Sequence, residues 1–485
     1  MKRFLVIMIA VLLIITQPIT VYAQETLPYD TYTYDYWGKS VSTPAAYIPS
    51  DPVLGVSLSC GTFSNPSDLF ISKDGIIYVA DTGNNRIVVL NSNMELMQII
   101  DTFRNKGNKD NFDTPSGVCC TEEGNLYIAD TNNKRVVILD KNRNLVDIIS
   151  HPPSDVLSKD FDFAPLKVSV DYAGRVYVIA SNMFQGIMAF SEAHKFMGYF
   201  GTINVNITLV QRFWRLFSTK EQRARQQQYI PTEFTGIDID KDGFVYATNL
   251  DSSGGQAVRM LNPKGIDVIT TNNNGKHSLA GDLHWWVGNG DYTGASKIVD
   301  VKIRENGIYS LLDSNRGRIF SYDSEGNLLY IFGGIGTQEG NFSQPVAVEA
   351  YKDLIYVLDS SKNAIFVFKP TQYGSYINKA VGLRYNGDET KSVKLWKKVL
   401  KFDSNNEMAY SGIGKAYLST GDNKKAMYYL KMGMNKTYYS IAYKRYRNKL
   451  LKDNLGWILT VILAGILLHS IVKRILKSRK RGIRS

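Results

Sequence analysis

The sequence predicts a mainly β protein, a six-bladed β-propeller followed by a small α-helical segment and one transmembrane helix. Three observations lead to this architecture. A pattern of short apolar strands and polar turns recurs about every 45–50 residues along most of the chain. The apolar period changes from 2 to 3.6 at Ser392. Near the C-terminus, the stretch from Leu455 to Val472 carries no formal charge and is long enough to span a bilayer.

Six units share one arrangement of strands. Each has an apolar strand, a Gly or Asp turn, an alternating strand with Tyr or Val, a polar turn and a third strand, with a fourth strand following. The units contain KDGIIYVADTGNNRIVVL after Pro66, EEGNLYIADTNNKRVVIL after Pro115, YAGRVYVIASNMFQGIMAF after Pro165, KDGFVYATNLDSSGGQAVRML, ENGIYSLLDSNRGRIFSY, and KDLIYVLDSSKNAIFVF after Pro345. Four short strands repeated six times describe the blades of a propeller.

The first unit, PSDLFISKDGIIYVADTGNNRIVVL, resembles an NHL repeat, and the second unit matches the pattern equally well. Units five and six keep the pattern more loosely, and units three and four are degenerate. The resemblance covers about residues 52–370 and implies a six-bladed propeller. We expect a strand at 52–59 to complete the last blade and close the ring, because closure removes exposed sheet edges. Residues 374–383 are the alternative source of that strand.

The polar cluster inside ADTGNNRIVVL could be a metal loop, a catalytic site or a turn. It contains Asp81, Asn84 and Arg86, and it returns around Asp130 and Asp313. A motif made once per blade is more economically a turn, in which Asp and Asn accept hydrogen bonds from nearby backbone N–H groups. We expect the arginine to tie the turn of one blade to a neighbouring blade.

Residues 392–451 resemble a tetratricopeptide (TPR) repeat. Residues 392–402 resemble the second helix of a preceding repeat, and 437–451 are expected to form a capping helix that runs into the membrane span. The signature positions are occupied by Tyr410, Ile413, Gly414, Tyr417, Ala426, Leu430 and Gly433. One and a half repeats are short for a solenoid, so both a spacer and a peptide-binding module remain open.

The two ends of the chain predict its topology. Residues 1–23 have two charges before an apolar run and end in Val21-Tyr22-Ala23, which predicts a cleaved signal peptide, with an uncleaved anchor as the alternative. The signal peptide places the bulk of the chain outside the cell membrane and the tail in the cytoplasm. The net charge of +12 is concentrated around the span, which indicates lipid headgroups and not nucleic acid as the partner.

The predicted domains follow from these boundaries. They are a signal peptide (1–23), an N-terminal extended segment (24–51), the propeller (52–370), a linker (371–391), TPR-like helices (392–451), a transmembrane helix (454–472) and a basic cytoplasmic tail (473–485). The three cysteines, Cys60, Cys119 and Cys120, are too few for a disulfide framework. We expect buried free thiols, with a bond from Cys60 to one of the other two as the alternative.

Two long insertions flank unit four, at about 203–231 and 272–294, and both belong to links that emerge on one face of a propeller. Aromatic faces with nearby hydrogen-bonding groups suit a saccharide, so we predict a ligand site here, with a glycan as a candidate ligand. The candidate residues are Phe213, Trp214, His284, Trp285, Trp286, Asp291 and Tyr292. The alternative is that these aromatics cover a small core of the insertions themselves.

The sequence therefore favours a membrane-anchored binding or scaffold protein that recognises a glycan or a protein partner. It offers no catalytic residue, cofactor motif or metal-ligand spacing such as HExxH, and no GxSxG or CxxC. We predict that the protein is not an enzyme. The alternative is a metal-dependent lactonase- or lyase-type propeller enzyme, because the chain has many carboxylates that could meet at the axis.

Overall fold

The repeated units fold as six antiparallel sheets, the blades of a β-propeller, and helices follow. The computed structural model describes residues 27–151, 161–201, 233–250, 257–269, 279, 281–282 and 296–482. The predicted signal peptide (1–23) lies outside these residues, and so does the end of the basic tail beyond 482.

The strands are short and follow the repeat. Before the first blade lie β1 (Tyr32–Tyr34), β2 (Ser40–Ser42), β3 (Tyr47–Pro49) and β4 (Val53–Leu54). Blade one contains β5 (Asp68–Ile71), β6 (Ile77–Asp81), β7 (Arg86–Leu90) and β8 (Leu96–Ile100), and a hairpin of β9 (Thr102–Asn105) and β10 (Asn108–Asn111) follows it. Blade two contains β11 (Pro115–Cys120), β12 (Leu126–Asp130), β13 (Arg135–Leu139) and β14 (Leu145–Ile149).

The remaining blades repeat this plan. Blade three contains β15 (Pro165–Val170), β16 (Val176–Ala180), β17 (Ile187–Phe190) and β18 (Phe196–Phe200). In the described residues blade four contains β19 (Phe234–Ile239), β20 (Val245–Asn249) and β21 (Val258–Leu261). Blade five contains β22 (Ile298–Ile303), β23 (Ile308–Asp313), β24 (Ile319–Asp323) and β25 (Leu328–Phe332), and blade six contains β26 (Pro345–Tyr351), β27 (Leu354–Asp359) and β28 (Ala364–Pro370).

Burial explains the residue pattern of each blade. The second strand is sandwiched between two neighbouring blades, so every residue of β6, β12, β16 and β20 is buried. Its sequence is correspondingly mostly apolar and does not alternate, although β6 and β12 end in a buried aspartate and β20 ends in Thr248 and Asn249. The fourth strand lies at the rim, and β8 and β14 each have exposed residues in their centres. In blades one and two, the second strand is therefore more apolar and more buried than the fourth.

The Asp-Asn-Arg motif forms the turn between the second and third strands, as the sequence predicted. In blade one, the buried carboxylate of Asp81 accepts hydrogen bonds from the Ser64 backbone N–H (2.7 Å), from Asn84 Nδ2 (2.9 Å) and from Arg86 Nε (2.7 Å). In blade two, Asp130 accepts from the Asp113 N–H and from Arg135 Nε in the same way. The aspartate thus joins the turn to the link that precedes its own blade.

The expected role of the arginine is wrong in one respect. Arg135 does not reach a neighbouring blade's turn, because its other contacts are to Asp110 (2.8 Å), on the hairpin that leads into its own blade. Other side chains join the blades: Thr82 Oγ1 donates to the Pro115 carbonyl (2.8 Å), and the Thr114 N–H donates to Asn85 Oδ1 (2.8 Å). The contacts from the turn of blade one to blade two are therefore made by Thr82 and Asn85 of the motif, and not by its arginine.

The N-terminal segment closes the ring. β3 and β4 both pair antiparallel with β28, the third strand of blade six. The pairing segment begins before the predicted strand at 52–59, and residues 55–58 form a 3-10 helix instead. The chain folds back here and brings the Gly61 carbonyl oxygen close to Gly55. A Cβ at position 55 would lie only 2.5 Å from that oxygen, so this approach requires glycine. The alternative strand at 374–383 is helical, so it does not supply the closing strand.

Five helices follow the propeller: α1 (Gln372–Tyr385), α2 (Glu389–Phe402), α3 (Glu407–Ser419), α4 (Asn423–Met432) and α5 (Lys436–Gly482). The predicted linker at 371–391 is therefore mostly helix α1. Thr371 caps this helix by accepting from the Gly374 N–H, and Tyr373, Ile377 and Val381 bury one face. Residues 420–422 separate α3 from α4, while the TPR resemblance itself stays a prediction.

One carboxylate connects the helices to the propeller. Glu325, in the turn between β24 and β25, contacts Arg384 of α1, Lys415 of α3 (2.5 Å) and Tyr438 of α5 (3.5 Å). Burial opposes ionisation of Glu325, but these two cations outweigh it and hold its pKa below the ordinary value. The helices thus dock on the face of blade five opposite to the links between blades.

The predicted capping helix and the predicted span at 454–472 are parts of the single helix α5, which is 47 residues long. Within the described residues it is the one helix that is long and apolar enough to cross a membrane, with a mean hydropathy of 2.3 in its most apolar window. Its apolar part is exposed, which is compatible with a single-pass anchor.

All three cysteines are free, so the disulfide alternative is not realised. Cys60 and Cys119 are buried, and burial raises the pKa of the Cys119 thiol. These thiols fill apolar clusters in two different regions of the propeller.

Replacing Tyr47 tests the closure of the ring. Tyr47 is fully buried, stacks on Phe332 at 4.8 Å between ring centroids, and accepts a hydrogen bond from Asn378 Nδ2 (2.8 Å). We expect Tyr47→Ala to lower the free energy of unfolding by about 3–5 kcal/mol, measured by urea denaturation. The exposed Tyr36 gives the control Tyr36→Ala, and equal midpoints for the two variants would contradict the assignment.

Replacing Asp130 tests whether the repeated motif is structural. Asp130→Ala leaves a backbone N–H and the Arg135 guanidinium without their buried acceptor, so we expect a loss of about 2–4 kcal/mol of stability. The control is Asp74→Ala, in an exposed turn of blade one. A variant that melts like this control would show that the motif does not hold the turn.

Candidate functional site

The inner strands of the six blades bring charged side chains together at the axis. Lys167 of blade three contacts Asp68 of blade one, and its Nζ lies 4.0 Å from Asp300 of blade five. Residues of three alternate blades can meet only near the centre of the ring. All three side chains are largely buried, with exposed fractions of 8–13%. They form the first tier of the axis.

A second tier lies two residues further along the inner strands. Lys302 of blade five pairs with Asp238 of blade four at 3.4 Å and with Glu349 of blade six at 3.0 Å. Its ammonium group also lies 5.6 Å from the ring centroid of Phe70 of blade one. The two-residue spacing follows from the strand pleat, which turns every second side chain toward the axis.

The axial carboxylates also bind the backbone of the following blade. Asp68 accepts from the Val118 N–H (2.8 Å), Asp238 accepts from the Ile303 N–H (2.8 Å), and Asp300 accepts from the Val348 N–H (2.9 Å). Each bond joins one blade to the next at the innermost strand. The axial charges therefore stabilise the ring as well as fill its centre.

Glycines leave the room that these side chains occupy. A Cβ on Gly236 would lie 2.6 Å from Asp300 Oδ1, and a Cβ on Gly117 would lie 2.5 Å from the Leu166 carbonyl oxygen. Both glycines stand at the register position where Lys167 and Asp300 stand in their own blades. At this position of the inner strand, the small residues of blades two and four thus leave space for the charged residues of blades three and five.

Burial sets the protonation of the cluster. Four carboxylates face two lysines, so full ionisation would leave an excess of negative charge in a poorly solvated place. Burial raises the pKa of Glu349 to about 8 despite the neighbouring Lys302, and it raises the pKa of Asp300 to about 6 despite Lys167. At neutral pH Glu349 therefore holds its proton, and the charges balance more closely.

The donor set at the axis does not fit a divalent metal ion. The ammonium groups of Lys167 and Lys302 lie between the carboxylates, in the positions that a cation would need. In the part of the chain that the structure describes, no cluster of three or more His, Cys, Asp or Glu has a metal-binding arrangement. In the described strands, the centre of the propeller is therefore filled by ion pairs.

The predicted aromatic site lies outside the described residues. This applies to all seven candidates, Phe213, Trp214, His284, Trp285, Trp286, Asp291 and Tyr292. The nearest described residue is Asp282, which is buried and paired with Arg316 at 2.7 Å, and which accepts a hydrogen bond from Tyr32 (2.6 Å). Asp282 therefore connects the second insertion to blade five and to β1.

The axial cluster is what reasoning from the sequence missed. Its signal was present, since Lys167, Asp238, Asp300, Lys302 and Glu349 interrupt strands that are otherwise apolar. A charge inside an apolar inner strand requires a partner.

The NHL repeat pattern matches residues 63–90 and 112–139, which are blades one and two. No curated protein sequence matches the chain.

Solved structures resemble the propeller at low identity. One is the virginiamycin B lyase from Staphylococcus aureus, with 9% identity and a TM-score of 0.43, over 67% of this chain and 100% of that one. Another is a structural genomics protein of unknown function from Bacteroides thetaiotaomicron, with 12% identity and a TM-score of 0.44, over 68% and 79% of the two chains. A third is a candidate gluconolactonase, with 10% identity and a TM-score of 0.40, over 68% and 94%. The protein thus contains NHL repeats in a six-bladed propeller, whose blades are established by the strand pairing itself.

Proposed function

We propose that the protein is a membrane-anchored, extracytoplasmic binding or scaffold protein that recognises a glycan or a protein partner through the link face of its propeller. Helix α5 is the proposed anchor, with the propeller outside and the basic tail in the cytoplasm. The observation that carries the proposal is the ion-paired axis, because its lysines pair with the carboxylates that a metal-dependent enzyme would need as free ligands.

The docking of the helices supports the choice of face. Arg384 and Tyr385 of α1 contact the turns of blade five around Glu325 and Gly307, on the side opposite to the links. We propose that the two insertions beside blade four lie on the link face. We propose that Trp214, Trp285 and Trp286 provide apolar surface there for a saccharide ring, with Asp291 as a hydrogen-bond acceptor.

Binding and metal measurements on the full-length protein in detergent test this function. We expect saturable binding to a glycan on an array, and a loss of about tenfold or more in Trp285→Ala/Trp286→Ala. Trp37→Ala is the matched control, because Trp37 is an exposed tryptophan that is not among the proposed ligand residues. Glycan binding that survives the double substitution would remove the proposed site.

Metal analysis separates binding from catalysis. We expect no stoichiometric divalent metal after dialysis without chelator. Stoichiometric metal together with metal-dependent turnover of a lactone or cyclic ester would overturn the binding proposal in favour of the enzyme.

The axis should affect stability and not binding, and Glu349→Gln tests this. The raised pKa means that folded Glu349 keeps a proton which the unfolded chain releases above about pH 4.5, so wild-type stability falls between that pH and about 8. The variant lacks this titration. We expect its free energy of unfolding to rise relative to the wild type by about 4 kcal/mol across the window, measured by urea denaturation.

The exposed Glu305 provides the control Glu305→Gln, which should keep the wild-type pH dependence. Parallel pH profiles for wild type and Glu349→Gln would show that Glu349 is not held protonated.

A further inference from the structure

The propeller region and the helical segment before the span differ sharply in net charge. Residues 24–370 contain 31 Lys or Arg and 39 Asp or Glu, whereas residues 371–453 contain 17 Lys or Arg and only 6 Asp or Glu. The helical segment is therefore strongly basic beside an acidic propeller. A basic segment near a span is expected to attract lipid headgroups at its membrane end, but part of this charge lies elsewhere.

Helix α2 concentrates basic charge on one face. Lys391, Lys394, Lys398 and Lys401 follow the spacing i, i+3, i+7, i+10, which places them along one side of a helix. All four are exposed, while Trp396 and the residues on its side of α2 are buried. We call these four residues the lysine face.

The charges of the lysine face are largely uncompensated. Lys391 pairs with Asp388 at 2.9 Å. Lys394, Lys398 and Lys401 form no ion pair with any carboxylate in the described part of the chain. Like charges one turn apart repel each other, so this face costs the isolated helix stability. An acidic partner would remove that cost.

A cavity of about 300 Å³ opens beside the lysine face, between α1 and α2. It is lined by Gln372 and Tyr376 of α1 and by Lys398, Lys401 and Phe402 of α2. Phe402 is 46% exposed although it is a large apolar residue, and its ring lies 6.2 Å from that of Tyr376. Lys398 Nζ lies 4.8 Å from the Tyr376 ring centroid. An aromatic cavity is thus bordered by two lysines.

We propose that the lysine face and this cavity form a docking site for an acidic peptide segment of a protein partner that carries one apolar anchor side chain. The carboxylates of the segment would lie against Lys394, Lys398 and Lys401, and the anchor would fill the space between Tyr376 and Phe402. Charge complementarity supplies the attraction and the cavity supplies the position of the peptide.

The cavity favours a peptide over other anions. A phosphate polymer would satisfy the lysines but has no apolar group for the aromatic cavity. A bilayer surface is flat, whereas the site is a cavity of about 300 Å³. This site is also separate from the link face of the propeller, so it does not depend on the glycan proposal.

Fluorescence anisotropy with the full-length protein in detergent tests the site. The probes are a labelled glutamate-rich peptide with one central phenylalanine and the same peptide with serine in its place. We expect the phenylalanine peptide to bind more tightly, and Lys394→Glu/Lys398→Glu/Lys401→Glu to weaken it by about tenfold or more at low salt. Phe402→Ala should abolish the difference between the two peptides.

The control reverses three exposed lysines of α4, Lys424→Glu/Lys425→Glu/Lys431→Glu, and changes the net charge by the same amount. It should bind like the wild type. Equal weakening by both triple variants would overturn the site, because only overall charge would then matter. Equal binding of the two peptides, with competition by inorganic polyphosphate, would replace the peptide with a general polyanion. Melting temperatures show that each variant is folded, and the triple Lys→Gln variant repeats the test without charge reversal.

Discussion

Closure of the ring by the N-terminal segment is the constraint on which the rest of the structure depends. Blade six has three strands of its own, and β3 and β4 complete it against β28. Without this pairing, the rim of the last blade would be an open edge and the first and last blades would be joined by side chains alone. Tyr47, on the closing strand, then becomes part of the surface on which α1 packs, through its contact with Asn378.

The axis shows how a degenerate repeat can still give a regular ring. The inner strands do not repeat one residue at the axial positions; glycines in blades two and four leave room for charged residues in blades three and five. The charges pair across the centre and bind the backbone of the next blade. Burial raises the pKa of both Glu349 and Asp300, and because the pKa of Glu349 reaches about 8, its proton reduces the excess of negative charge at neutral pH.

In the described residues, the helical segment packs against the propeller and continues into the proposed anchor. Glu325 alone contacts three of the five helices, including the first turn of α5. Because α5 continues without interruption into its apolar part, an orientation set at Glu325 is carried along the helix. The propeller and the exposed face of α2 are therefore presented together, as two surfaces of different charge.

The sequence by itself determined the blades, the turns and the apolar helix, because each depends on local pattern. Strands in one blade pair through short turns, and the Asp-Asn-Arg motif satisfies backbone groups a few residues away, so both are readable from the repeat. The proposed aromatic site was reached in the same way and stays a prediction.

Contacts between residues distant in the chain were decided only by the tertiary structure. Residues 371–391 were predicted to be a linker, yet most of them form helix α1. A Cβ on Gly374 would lie 2.1 Å from the Ala46 carbonyl oxygen, so this glycine allows the closing segment to pass beside the helix. The pairing of Lys167 with Asp68, and of Lys302 with Glu349, depends on which blades face each other across the axis. No local pattern encodes that geometry, because it exists only once the ring has closed.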